Sequence, residues 1–302
     1  MLGDLIRALM SIPAANIQCI VNRYLRAEAS ASMVVMELVQ FTEDPAALAL
    51  ALPTLDGEPA RLRELARHLA ENEAGCRTIV RMIRQGLDSP EVAGDAEDGI
   101  ERCRKLFDAS VAQSEESSVA LYSLGSPEIL AAATDEVIGV LDDWGVLGLH
   151  RDALEIGCGI GRLMIPLCSH VRSVVGTDVS PGMISAAVRR LKGFSNTSVQ
   201  MTTGQDLSEF DSGSMDLVYS VDTFPYMVLS GNALVERHFW EIRRVLRATG
   251  DFVLFNYAYG RGREDANQEV LALAHGAELQ VIRADESPFR LWNGIGWLMR
   301  RG

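Results

Sequence analysis

Cysteine is scarce in this chain of 302 residues, and the five present (Cys19, Cys76, Cys103, Cys158 and Cys168) are odd in number and never spaced Cys-x-x-Cys. That pattern supports neither a zinc site nor a disulfide framework, so no metal is expected and a reducing, cytoplasmic location is. Long apolar runs are missing too. None reaches the roughly 18 residues that suggest a membrane span, and Asp4 stands before any signal-peptide-like core. A membrane is therefore not an expected partner. Runs of Lys and Arg are equally absent, and the charge is uneven. Residues 1–150 carry 12 Lys/Arg against 24 Asp/Glu, residues 151–302 carry 16 against 17, and the net charge is −13. Phosphate contacts need basic patches, so nucleic acid is excluded as the main partner. No internal repeat or low-complexity tract is present. With 48% hydrophobic and 23% charged residues, the composition is that of a globular protein with one large or two ordinary domains.

Residues 1–112 read as helical. Leu2 to Met10 is a short apolar stretch ended by Pro13, and Ala14 to Glu28 sets Ile17, Ile20, Val21 and Leu25 at helical spacing. Ser30 to Phe41 is apolar on more than one side, which predicts burial in a core or against a second subunit. Further helices are expected over Ala46–Leu52, Arg61–Glu71, Cys76–Gln85 and Gly99–Gln113, with an acidic loop or linker from Leu87 to Asp98. His68, alone on a charged helix, reads as a solvated residue. The expected role of this domain is a cap over an acceptor pocket or a surface for homodimerisation.

The rest of the chain, residues 113–302, alternates strands and helices. Ser126-Pro127-Glu128 carries helix-start chemistry and opens a helix to about Trp144. Strands are expected at 153–157, 173–178, 198–202, 215–220, 250–257, 278–284 and 294–300, with helices at 161–170, 181–192, 233–246 and 264–275. The fold class that follows is α/β: a doubly wound, seven-stranded, mostly parallel sheet preceded by an all-α N-terminal domain. Only Glu286 to Asn293 separates the last two strands, too few residues for a crossover helix, so they form a C-terminal antiparallel hairpin.

The first strand leads into Ala153-Leu-Glu-Ile-Gly-Cys-Gly-Ile-Gly161. Glycines at alternate positions let the backbone approach a ligand closely. A dinucleotide site would place its third small residue at 162, where this chain has arginine, so a nicotinamide oxidoreductase is disfavoured. Asp178 ends the second strand 21 residues beyond Gly157, close to the roughly 20 expected of an acid that binds ribose hydroxyls. The pattern Glu155-x-Gly157-x-Gly159-x-Gly161, followed by Asp178-Val-Ser-Pro-Gly-Met183, resembles the first two motifs of the class I S-adenosylmethionine-dependent methyltransferases. Met215-Asp-Leu-Val-Tyr-Ser220 is similar to that family's fourth strand, with methionine in place of the usual phenylalanine. Glu241 to Phe255 is similar to its fifth motif, with Ala248-Thr249-Gly250 where Pro-Gly-Gly is usual. The likeness runs from about residue 117 to 302.

The resemblance implies S-adenosylmethionine as cofactor, held by Glu155, Gly157, Cys158, Gly159, Gly161, Asp178, Val179, Met183 and Ser220, with Tyr122 covering its methionine end. An acid often found after the third strand is replaced by Thr203, which leaves Gly204, Gln205 and Asp206 to meet the adenine. The implied reaction is methyl transfer to a small-molecule acceptor with an O, N or S nucleophile; a non-catalytic cofactor-binding partner or regulator is the alternative. Acceptor-side candidates are residues just past strand ends: Asp222, Phe224 and Tyr226, then Asn256, Tyr257 and Tyr259. Asp222 is the candidate general base, with Tyr226 beside it. His238 reads as a packing or surface residue, and Arg290 and Trp292 as anchors of the last turn.

Overall fold

The computed structural model describes residues 13–84 and 95–302. The stretch Leu2–Met10 and most of the acidic loop or linker expected from residue 87 onward lie outside the described residues. The chain divides into two compact units. One contains the N-terminal helices, Ser110–Ala133 and Phe289–Asn293; the other contains the sheet together with residues up to Ala109 that precede it. The boundary expected at residue 112 thus divides the chain differently from its contacts, because a helix preceding it is bonded to the sheet unit, as described below.

The helical unit holds α1 (Ala14–Leu25), α2 (Ala31–Val39), α3 (Pro45–Ala51), α4 (Pro59–Glu71) and α5 (Glu73–Met82). Ser30 caps α2 and Asp44 caps α3, each side chain accepting from the backbone N–H three residues on. Six of the nine residues of α2 are buried, as its apolar breadth predicts, and Val34, Val35 and Leu38 form the centre of the unit's core with Ile17, Leu48, Leu65 and Ile79. His68 differs from the expectation. It is half-buried, with Nε2 2.9 Å from the Ser32 hydroxyl, because the Ser32 position on α2 meets the α4 face that carries it. Burial lowers its pKa.

The sheet unit contains α6 (Ala96–Val111, here through Ala109), β1 (Gly148–Ile156), α9 (Met164–Leu167), β2 (Val171–Asp178), α10 (Pro181–Arg190), β3 (Thr197–Met201), β4 (Met215–Val221), α11 (Phe224–Leu229), α12 (Asn232–Val245), β5 (Leu246–Phe255), α13 (Arg263–Gly276), β6 (Leu279–Glu286) and β7 (Gly296–Arg301). Two helices precede β1: α7 (Glu115–Val119) and α8 (Pro127–Asp143). The strand order is β3-β2-β1-β4-β5-β7-β6. β1 to β5 pair in parallel, and β7 pairs antiparallel with both β5 and β6. Successive strands proceed outward in opposite directions from β1 and β4, so their carboxyl ends form the crevice where such sheets take ligands.

Alternation of burial along the strands follows from helices covering the sheet. Phe239, Ile242 and Val245 of α12 and Val270 and Ala274 of α13 share one apolar core with Leu154, Val218, Phe252 and Leu254 of the strands. Asp251 is fully buried in β5 and clamps the sheet: Arg151 of β1 donates to it at 2.7 Å across β4, and Arg300 of β7 donates at 2.7 Å from the other side. Removing one partner of such a group strands the others without compensation. Asp251→Ala should therefore lower unfolding free energy by about 3 kcal/mol. Urea denaturation should show a reduced midpoint at unchanged slope; an unmoved midpoint would deny the clamp.

Candidate functional site

At the end of β1 the chain turns through Gly157, Gly159 and Gly161, with φ of 73, 52 and 72°. Side chains are disfavoured in that region, and at Gly157 there is also no room. A Cβ there would lie 2.0 Å from the Thr223 hydroxyl, which itself donates to the Ile156 carbonyl at 3.1 Å. The N–H groups of Gly157 and Cys158 both donate to the Thr177 carbonyl of β2, at 2.8 and 2.9 Å. The helix expected over 161–170 is reduced to the single turn Met164–Leu167, since the glycines before it are left-handed and Pro166 brings no N–H.

Asp178 closes the turn from the next strand. Its Oδ2 accepts from the Gly159 N–H at 2.9 Å and its Oδ1 from the Ser180 N–H at 2.9 Å. Ser180 also caps α10, accepting from the Met183 N–H, so the cap and the acid are separate residues. A carboxylate offers about four lone-pair positions, and two backbone donors leave the others for ligand hydroxyls. Burial pushes the Asp178 carboxyl up to about 6, against the pull of the Ser180 and Gly159 N–H bonds.

Helix α6 lies against this end of the sheet. Asp108 Oδ1 accepts from the Ser180 hydroxyl at 2.6 Å and from the Gly182 N–H at 2.9 Å. Ile100 comes within contact of the Gly204 position beside Val179, at the turn after β3. Around that turn, Gly204 has φ of 74°, Gln205 meets Arg237 at 3.4 Å and Asp206 accepts from the Ser208 N–H at 3.1 Å. Met183 is buried beneath α10, Cys158 is buried in the glycine turn, and the buried Ser220 hydroxyl donates to the Ile156 carbonyl at 3.1 Å.

Glu155 is buried under the turn, accepting from the Tyr219 hydroxyl at 2.8 Å. Burial pushes its carboxyl up to about 8, opposed by the Tyr219 bond and by the positive charge of Arg162. Arg162, read from sequence only as a misfit to dinucleotide sites, proves to be a buried cation. It donates to Thr134 at 3.1 Å and acts electrostatically on both Glu155 and Asp222.

Past β4 lies a second constellation. Asp222 and Asn256, at the ends of β4 and β5, both adopt left-handed backbone, with φ of 58 and 62°. Asn256 Nδ2 donates to Asp222 Oδ1 at 2.6 Å, and the Tyr259 hydroxyl donates to the same oxygen at 2.7 Å. Asn256 is held in turn by the Ile295 N–H at 3.0 Å. Burial raises the Asp222 pKa, opposed by these donors and by Arg162. Tyr226 projects from α11, a short helix outside the helical ranges expected from the sequence, and its ring meets Phe107 and Tyr259 edge to face at 4.9 and 6.1 Å. Phe224 and Tyr257 do not join this group. Phe224 turns into the core between Phe239 and Phe252, and Tyr257 is buried. His238 is buried, its Nδ1 2.9 Å from the Leu234 carbonyl. Tyr122 lies in the helical unit, buried and stacked on Trp292 at 5.7 Å.

Known proteins share this architecture. A family model described as a methyltransferase domain matches residues 154–254. An uncharacterized methyltransferase of Schizosaccharomyces pombe is 35% identical over 120 residues, covering 39% of this chain and 44% of the relative. A probable S-adenosylmethionine-dependent methyltransferase of Saccharomyces cerevisiae is 29% identical over 115 residues, 36% of this chain and 37% of its own. The match thus spans less than half the length of either relative. Among solved structures, phosphoethanolamine N-methyltransferase 1 of Haemonchus contortus, in complex with phosphoethanolamine and S-adenosylhomocysteine, is similar in fold. Its TM-score is 0.54 at 18% identity, over 68% of this chain and 49% of that one.

Asp178 carries a binding prediction. If ribose hydroxyls donate to the ionised carboxylate, affinity for S-adenosylhomocysteine should be full above pH 6 and fall as pH drops through about 6, approaching tenfold per unit once the acid is mostly protonated. Asp178→Ala should weaken binding by about 1.5–3 kcal/mol at neutral pH. Calorimetric titration checks both; an affinity insensitive to pH and to the substitution would remove Asp178 from the ribose contact.

Proposed function

We propose that this chain is a class I S-adenosylmethionine-dependent methyltransferase that methylates a small molecule bound at the carboxyl end of β4, facing Asp222 and Tyr226. The residues fit the cofactor. The left-handed glycine turn after β1 supports a close backbone approach by a ligand, and Asp178 keeps lone pairs for a ribose. When bound, the cofactor supplies a methyl group already activated on a sulfonium, so the protein's tasks are alignment and removal of a proton from the acceptor.

The observation that carries the reading is the asymmetry of Asp222. Two donors, Asn256 and Tyr259, hold Oδ1, whereas no hydrogen bond among the described residues engages Oδ2. Two neighbouring non-glycine residues in left-handed backbone are costly and persist where surrounding structure enforces them, as at functional sites. Asp and Asn tolerate that conformation better than most residues. The anchoring fixes the carboxylate in place, and burial makes it a better proton acceptor than an exposed aspartate. Thr223, the next residue, roofs Gly157, so acceptor side and cofactor turn are joined through one backbone step. The acidic balance of residues 1–150 supports a small acceptor over nucleic acid.

A screen of small molecules for S-adenosylhomocysteine release, with mass spectrometry of the methylated product, tests the proposal. Asp222→Asn should lower kcat about 10²-fold or more while leaving S-adenosylhomocysteine affinity in place. Cofactor binding with no turnover across alcohols, amines, thiols and acids would favour a binding protein instead.

A further inference from the structure

We propose that Arg162 receives the carboxylate of a bound ligand, in first place that of the methionine end of S-adenosylmethionine; this rests on the cofactor reading above. Arg162 follows Gly161, the last glycine of the turn, and is only 7% exposed. A guanidinium stays charged and presents its N–H donors in a rigid planar fork. Among the described residues it makes one hydrogen bond, from Nη1 to the Thr134 hydroxyl at 3.1 Å, and no ion pair. Nε and Nη2 carry no such bond, yet neither is sealed off from the outside. The fork is buried, charged and open.

Burying a charge is expensive unless a counter-charge and hydrogen bonds meet it. The neighbouring acids do not supply that match. Glu155 lies in the field of Arg162, but burial pushes its carboxyl up to about 8, so it is mostly protonated at neutral pH, and its hydrogen bond comes from Tyr219. Asp222 also lies in that field, but its hydrogen bonds come from Asn256 and Tyr259. Asp178 is engaged by the Gly159 and Ser180 N–H groups. Thr134 offers the cation only a neutral hydroxyl. A ligand carboxylate would supply both missing elements. Its paired oxygens match the fork, and such charge-assisted bonds are roughly twice as strong as neutral ones. An ammonium would be repelled, and an alcohol or amide would bring no counter-charge.

The carboxylate has two possible sources in the proposed reaction. Arg162 adjoins the glycine turn assigned to the cofactor, whose methionine end carries a carboxylate. It also lies in the field of Asp222, on the side assigned to the acceptor. Backbone adjacency favours the cofactor, and Asp222 disfavours a second acid placed beside it. Thr134, on α8 ahead of β1, fixes a side chain that the sequence shows only as a misfit to dinucleotide spacing.

Calorimetry on the full-length protein, Arg162→Gln and Arg162→Lys tests this with three adenosine probes. These are S-adenosylhomocysteine, its decarboxylated form with the aminopropyl chain intact, and methylthioadenosine, which lacks the amino-acid end. In the unaltered protein, loss of the carboxylate should weaken binding about ten- to hundredfold, a comparison that needs no variant. Arg162→Gln should weaken S-adenosylhomocysteine by a similar factor and leave the decarboxylated form no weaker. Arg162→Lys should recover part of the loss, since it keeps the charge without the fork. Unchanged methylthioadenosine affinity reports that each variant is folded at the nucleotide end. A second arm titrates protein saturated with S-adenosylhomocysteine against phenylacetate and phenylacetamide. An acceptor carboxylate on Arg162 would make phenylacetate at least about tenfold the tighter, a difference erased by Arg162→Gln, while the first two adenosine probes bind alike. No carboxylate preference in either arm, or a preference that survives Arg162→Gln, would overturn the assignment. Failure of the unaltered protein to bind any of the adenosine probes would instead overturn the cofactor reading beneath it.

Discussion

The grip of one carboxylate on two backbone N–H groups is the constraint on which the nucleotide end of this protein depends. Asp178 joins the glycine turn after β1 to the cap of α10 after β2, adding a side-chain link to the Gly157 and Cys158 N–H bonds that already reach the Thr177 carbonyl. Burying an acid there is costly, and the raised pKa measures that cost. Backbone donors offset part of it while leaving acceptor positions open. The same physics explains why the glycines are required: a backbone that must give its N–H groups to an aspartate and to the Thr177 carbonyl has to bend through left-handed conformations.

A second set of buried ionisable groups lies at the neighbouring strand ends. Arg162 acts electrostatically on Glu155 and Asp222, burial pushes the Glu155 carboxyl up to about 8, and Tyr219, Thr134, Asn256 and Tyr259 hydrogen-bond to members of the set. Such networks persist only when each member is held, because an unmatched charge away from water is expensive. At Asp222 the hydrogen bonds fall on one oxygen, Oδ1, which accepts from both Asn256 and Tyr259.

Much of this was legible in the sequence, for physical reasons that can be named. Glycine spacing, an acid at the end of the second strand and a serine before Pro181 are local signals, since turns and caps depend on neighbouring residues alone. Strand positions followed from apolar runs, and all seven occur within a few residues of where they were expected. The short loop from Glu286 to Asn293 required an antiparallel final pair, which β6 and β7 form. Asp222 and Tyr226 were named by position at a strand end, as members of a longer set.

Selection within that set belonged to tertiary structure. Nothing in the sequence distinguishes Tyr257, whose ring is buried, from Tyr259, whose hydroxyl reaches Asp222; both lie past the end of β5, where the strand rule that sets residues two apart on one face does not apply. Arg162 as a cation between two acids, Phe107 beside Tyr226, and Asp108 on the cap of α10 all depend on contacts between residues far apart in the chain. By itself the sequence determined the order of elements and the cofactor turn, because those arise from short-range periodicity and backbone freedom. Which side chains meet at the ends of β4 and β5 was decided only when helices and strands came together, because burial and partnership are properties of the assembled fold.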